Sequence, residues 1–188
     1  MRTIFLSMVI LASACAPPEC DLADPKACTN TQVCERVQGG KPQCVAPVLI
    51  EGHVFDLATN GGIAGAQVLA TDENGAPVGV PVTSADDGRY SMRVPTTRSS
   101  TKGELVDQKV LLRSQARDFV PFPSGARISL PVAIAQATRK DDASPWVLST
   151  SLTELGLSML EASEQGLPTV SGTVEDVSGS AVLVVLEQ

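Results

Sequence analysis

Between Ile50 and Pro95, apolar or small residues alternate with polar ones in four short runs. That is the period of strands with one buried face and one wetted face. Ile50, Gly52 and Val54 share one face of the first run, and Glu51 and His53 the other. Ala66, Val68 and Ala70 repeat the pattern in the second run, Val78, Val80 and Val82 in the third, and Tyr90, Met92 and Val94 in the fourth. Asn60-Gly61-Gly62, Asn74-Gly75 and Asp86-Asp87-Gly88 separate the runs. Gly and Asn tolerate the positive φ of tight turns, so these are the expected corners. Strands at such short, even intervals predict a mainly β fold, an antiparallel sandwich and not an α/β sheet.

The pattern continues less cleanly downstream. Val110, Leu112, Ser114 and Ala116 alternate with Leu111, Arg113, Gln115 and Arg117 and favour a strand, although a helix fits the same stretch. Ile128, Leu130, Val132 and Ile134 alternate as another strand, and Phe119 and Phe122 are expected to cap the core. Residues 96–104, TTRSSTKGE, contain no apolar side chain and read as an exposed, solvated loop. Over 151–166, Ser151 and Glu154 have capping-box spacing for a helix, whereas Leu155, Leu157 and Met159 alternate; a strand is preferred. Val170, Gly172 and Val174 repeat the spacing of Ile50, Gly52 and Val54, and Ala181–Leu186 reads as a buried strand. Residues 167–188 are thus either the last strands of one sandwich or the opening of a second repeat.

Three pieces in order resemble the carboxypeptidase regulatory-like domain. They are Ile50-x-Gly52-x-Val54-x-Asp56, then Gly65-Ala66-x-Val68, then Asp87-Gly88-x-Tyr90 before Val94-Pro95. Ile63-Ala64 stands where that family usually has Pro-Leu. The resemblance implies a transthyretin-like or Ig-like β-sandwich over 48–166, and a non-catalytic module of the kind attached to enzymes, transporters and surface proteins. A sandwich hosts many roles, so it implies little about ligand.

Residues 1–14 carry one charge at Arg2, an apolar run from Ile4 to Leu11 and the small residues Ala12-Ser13-Ala14, the order of a secretory signal peptide. Leu11-Ala12-Ser13-Ala14-Cys15 is similar to the lipobox of bacterial lipoproteins, with Ala12 where Leu is commonest; that resemblance implies lipidation of Cys15 and, from Ala16, the outer membrane. Ala12-Ser13-Ala14 also satisfies ordinary cleavage. Cysteine parity favours lipid: of five cysteines, an anchored Cys15 leaves an even four, Cys20, Cys28, Cys34 and Cys44, for pairing. Residues 15–47 are polar and turn-rich and need staples in place of a core. A zinc site lacks C-x-x-C spacing, and His53 lies elsewhere. Three disulfide connectivities are open. Similarity to short cysteine knobs of secreted bacterial and EGF-like modules implies Cys20–Cys34 with Cys28–Cys44.

Charge narrows the partners. The formal net charge is −7, and loss of Arg2 with a signal segment makes it −8, which argues against nucleic acid. Aromatics at 3% give no stacking stripe for single strands or sugars. His53, the one histidine, sits mid-run and is expected as a strand residue; a Ser-His-Asp triad would rest wholly on it. Asp72, Glu73, Asn74, Asp86 and Asp87 lack calcium-loop spacing and suit turns. The expected protein is an exported, non-catalytic envelope lipoprotein without cofactor or metal. Its lipid anchor would hold it at the membrane, where it meets an envelope protein or polysaccharide. The alternative is an accessory N-terminal module of a larger exported enzyme or transport system.

Overall fold

The computed structural model describes residues 18–24, 26–29, 31–99, 103–125 and 127–161. The expectations for residues 1–14, for Cys15 and for 167–188 lie outside the described residues. Twelve strands follow in order among the described residues: β1 (Val33–Val37), β2 (Gln43–Val45), β3 (Val48–Asp56), β4 (Gln67–Thr71), β5 (Val82–Thr83), β6 (Arg89–Val94), β7 (Thr97–Arg98), β8 (Lys109–Gln115), β9 (Phe119–Val120), β10 (Val132–Ala133), β11 (Trp146–Leu148) and β12 (Glu154–Met159). Short 3-10 turns cover Ile134–Gln136 and Ser151–Thr153.

The long strand β3 organises the first sheet. β6 runs antiparallel along Val48–His53. A strand has two edges, so β11 and β12 share the other: both are parallel to β3, β11 at Val48–Ile50 and β12 at His53–Asp56. β9 closes antiparallel on β12. The second sheet has the order β10-β8-β4-β5, all antiparallel. A third, small sheet is β2-β1-β7, in which β1 and β7 run parallel. The fold is thus a mainly β sandwich with a disulfide-stapled segment before it, and its ladders are mostly antiparallel, with three parallel pairings.

Alternation puts Val48, Ile50, Val54, Met92 and Val94 of the first sheet against Val68, Ala70, Val110 and Leu112 of the second, all buried. Leu148, Leu155 and Leu157 complete the layer, and Phe119 and Phe122 pack half-buried at its margin. Full burial of one such aliphatic side chain contributes about 1.5–3 kcal/mol.

Four stretches depart from the sequence reading. Of Val78, Val80 and Val82, only Val82 enters a strand, and Val80 is 71% exposed. Pro77 and Pro81 supply no ladder donors, and Gly79 at φ +86° turns the chain out of extended geometry. The strand expected over Ile128–Ile134 shrinks to Val132–Ala133; Ile128 and Leu130 are exposed, with Pro131 between them and β10. The expected exposed loop at 96–104 instead carries β7, and Arg98 is fully buried. The capping box also sits one residue early: Thr150 and Thr153 form it, and β12 follows directly.

Candidate functional site

A shallow cleft of about 360 Å³ opens on the outer face of the first sheet, where β3, β6 and the start of β12 meet. Glu51, Arg89, Ser91, Ser149 and Glu154 line it, and Gly52 and Tyr90 form its floor. The floor is built by close approach. A Cβ on Gly52 would stand 2.0 Å from the Thr153 carbonyl oxygen and 2.8 Å from the Tyr90 hydroxyl, so only glycine lets the turn before β12 lie against β3. The Tyr90 hydroxyl donates to that same Thr153 carbonyl at 2.8 Å. Burial, with the Glu154 carboxylate adding to it, pushes the phenol well above its ordinary range, so it stays a proton donor. Thr153 Oγ1 lies 2.7 Å from the Glu51 carbonyl and completes the clasp.

His53 stands beside the cleft, stacked on Phe55 with ring centroids 5.7 Å apart. Its Nε2 is 2.8 Å from the Asp87 carbonyl; a carbonyl only accepts, so Nε2 carries the proton. Nδ1 faces the Glu154 carboxylate at 3.8 Å. A carbonyl and a carboxylate surround the ring, and neither is a group that a base would activate for nucleophilic attack. The cleft can offer two carboxylates, two serine hydroxyls and the Arg89 guanidinium to a polar ligand. Ser91 Oγ reaches Glu51 Oε1 at 3.4 Å, and Arg89 Nε reaches Asp87 Oδ2 at 3.4 Å.

The other motif residues serve the turns. Asp56 Oδ1 accepts from the Ala58 N–H and Oδ2 from the Thr59 hydroxyl, fixing the corner in which Asn60 takes φ +59°. Gly65 takes φ +72°, and the following Ala66 N–H donates to Ser84 Oγ, which itself donates to the Ile63 carbonyl at 2.6 Å. Val68 lies fully buried in β4. Asp87 Oδ1 accepts from the Arg89 N–H, and Gly88 takes φ +82° where a Cβ would meet the Val54 carbonyl at 2.3 Å. Asp72 Oδ1 likewise caps its own turn through the Asn74 and Ala76 N–H groups.

The N-terminal segment holds disulfides Cys20–Cys34 and Cys28–Cys44, with Cα separations of 5.9 and 5.5 Å. It is tied to the sandwich by a buried network that the sequence did not announce. Arg98 Nε donates to Glu35 Oε2 at 2.7 Å, Nη1 to the Gly103 carbonyl at 3.1 Å and Nη2 to the Ala46 carbonyl at 2.6 Å. Glu35 accepts further bonds from the Thr96 N–H and hydroxyl. Burial alone pulls the guanidinium downward, and the Glu35 charge opposes this. A charge in a polar stretch is ordinarily a solvated one, and only the fold brings Glu35 to Arg98.

These features define a disulfide-stapled β-sandwich module with a polar cleft on one face. No protein-family model and no curated protein matches the chain. Among solved structures it is similar to the Bacillus anthracis TIE protein, at 12% identity and TM-score 0.41, over 64% of this chain and 19% of that one. It is also similar to the group B streptococcus pilus 2b backbone protein, at 12% identity and TM-score 0.41, over 64% of this chain and 44% of that one. A third likeness is to catechol 1,2-dioxygenase from Pseudomonas arvilla C-1, at 13% identity and TM-score 0.40, over 68% and 59%. The chain spans less than two thirds of each. Such scores carry no argument about chemistry, and the architecture rests on the ladders above.

Proposed function

We propose that this chain is a non-catalytic structural and binding module of the bacterial cell envelope, a lipoprotein whose sandwich belongs to the carboxypeptidase regulatory-like type. The observation that carries the reading is the Glu35–Arg98 network, which ties the stapled segment to the sandwich through a buried ion pair. A stapled base joined in this way suits a module that must hold its position relative to an attachment point. With lipid on Cys15, five steps of chain separate the anchor from Cys20, an extended reach of at most about 18 Å. The sandwich would sit close above the membrane, and its loops, strand edges and cleft would meet an envelope protein or polysaccharide. Several acyl chains make such anchoring stable where one alone is marginal.

The test is the intact mass of the mature chain extracted from membranes, with and without reductant. The expected species begins at Cys15, carries acyl mass and gains about four hydrogens as two disulfides open. A mature chain recovered free of lipid from the soluble fraction would overturn the anchored reading.

A further inference from the structure

The four cysteines of the stapled segment are gathered by backbone pairing. Cys34 and Cys44 face each other across the β1–β2 ladder. Cys20 is laid alongside by the Glu19↔Gln43 bridge, its N–H donating to the Pro42 carbonyl at 3.1 Å while the Cys44 N–H donates to the Pro18 carbonyl at 2.9 Å. Cys28 follows a turn closed by the Ala27 N–H on the Asp24 carbonyl. The Sγ atoms of Cys20, Cys28 and Cys44 lie within 4.8 Å of one another, and that of Cys34 is bonded to Cys20. None of these backbone bonds depends on a sulfur–sulfur bond. The hairpin is also held to the sandwich by the β1–β7 pairing and the Glu35–Arg98 network. These backbone bonds and the Glu35–Arg98 network can still hold the hairpin when the disulfides are open.

Tetrahedral zinc binds thiolate at about 2.3 Å, which sets neighbouring sulfurs roughly 3.8 Å apart. Cys20 with Cys34, and Cys28 with Cys44, are bonded pairs that must move apart to reach that spacing once opened, whereas the sulfurs of Cys20, Cys28 and Cys44 otherwise lie within 4.8 Å of one another; side-chain rotation supplies movements of this size. We propose that Cys20, Cys28, Cys34 and Cys44 form a redox-gated metal site that holds one Zn²⁺ as a tetrathiolate once both disulfides are opened. The reductant is a dithiol, one per disulfide. Each disulfide takes up two electrons and two protons to give two thiols, and each dithiol closes to its cyclic disulfide. Zn²⁺ then replaces four thiol protons, leaving a site with two net negative charges. The soft donor set selects a thiophilic ion over calcium or magnesium. No C-x-x-C spacing announces this site, because strand register supplies the proximity that local spacing usually provides.

The experiment reduces the full chain with a metal-innocent phosphine under argon and titrates it with Co²⁺ as a spectroscopic stand-in, then with Zn²⁺. One Co²⁺ per chain is expected, with thiolate charge-transfer and intense tetrahedral d–d bands that an equivalent of Zn²⁺ abolishes. Cys34→Ser removes a ligand, and its loss of affinity should exceed the roughly 10–100-fold typical of losing a group that merely orients a ligand. Arg98→Met, which touches no sulfur, should weaken binding by loosening the hairpin. A six-coordinate spectrum, less than one ion per chain, or equal affinity in denaturing urea would each overturn the proposal. So would a reduced chain that loses its fold and binds nothing, since the site requires the frame to outlast the disulfides.

Discussion

Replacing Arg98 by methionine keeps much of the side-chain volume and deletes the charge. Glu35 would then lie buried with only the Thr96 N–H and hydroxyl as partners, and the Gly103 and Ala46 carbonyls would lose their donors. Breaking a buried ion pair from one side costs about 3–5 kcal/mol, because a charge is stranded. At about 2–4 °C per kcal/mol for a chain of this size, Tm should fall by roughly 6–20 °C. Denaturation in urea, followed through Trp146 fluorescence with both disulfides intact, gives the free energy directly. Adding Glu35→Gln removes the stranded charge, so the double variant should be more stable than Arg98→Met alone. Salt should change little, since screening acts on exposed pairs and this pair is fully buried. A loss under about 1 kcal/mol for Arg98→Met, or two single losses that simply add within about 0.5 kcal/mol, would refute the view that this network joins the segment to the sandwich.

Other perturbations have equally definite outcomes. Tyr90→Phe removes the bond to the Thr153 carbonyl and should cost about 0.5–1.5 kcal/mol by the same assay. Because burial raises the Tyr90 phenol in the fold, its contribution is full below the ordinary phenol value near 10 and fades as pH climbs above it. Tyr90 is the one tyrosine, so the Phe variant should lose part of the alkaline decline, as thermal melts from pH 9 to about 11 will reveal. Gly52→Ala forces a Cβ onto backbone and should cost at least about 1–3 kcal/mol, with faster amide exchange at the start of β12. Removing the Cys28–Cys44 bond by paired serines, across a separation of 16 residues, should cost about 3 kcal/mol in chemical denaturation.

The parts legible in the sequence are those governed by neighbours along the chain. Alternation located β3 and β6, and Asn60, Gly75 and Gly88 adopt the positive φ expected of their corners. The same rule failed at Val80 and Ile128, where alternation persisted but nearby prolines broke the ladder. The floor of the cleft was half legible: Gly52 and Tyr90 stood out, whereas Thr153, the group both of them face, is a threonine among others in a stretch whose spacing fitted a helix as well as the preferred strand. Arg98 was misread because its partner Glu35 lies in another segment, and no local pattern distinguishes an arginine about to be buried from a solvated one.

The two-part edge of β3 has a consequence for how such a chain can mature. One flank of the strand is completed early, by β6, but the other waits for β11 and β12, whose register partners run from Trp146 on Val48 to Leu157 on Asp56. Contacts so distant in sequence are slow to form. A polypeptide emerging amino end first, from a ribosome or through a narrow pore, cannot seal its central strand until nearly all the described residues have come through. The topology itself therefore delays closure and keeps the emerging chain threadable.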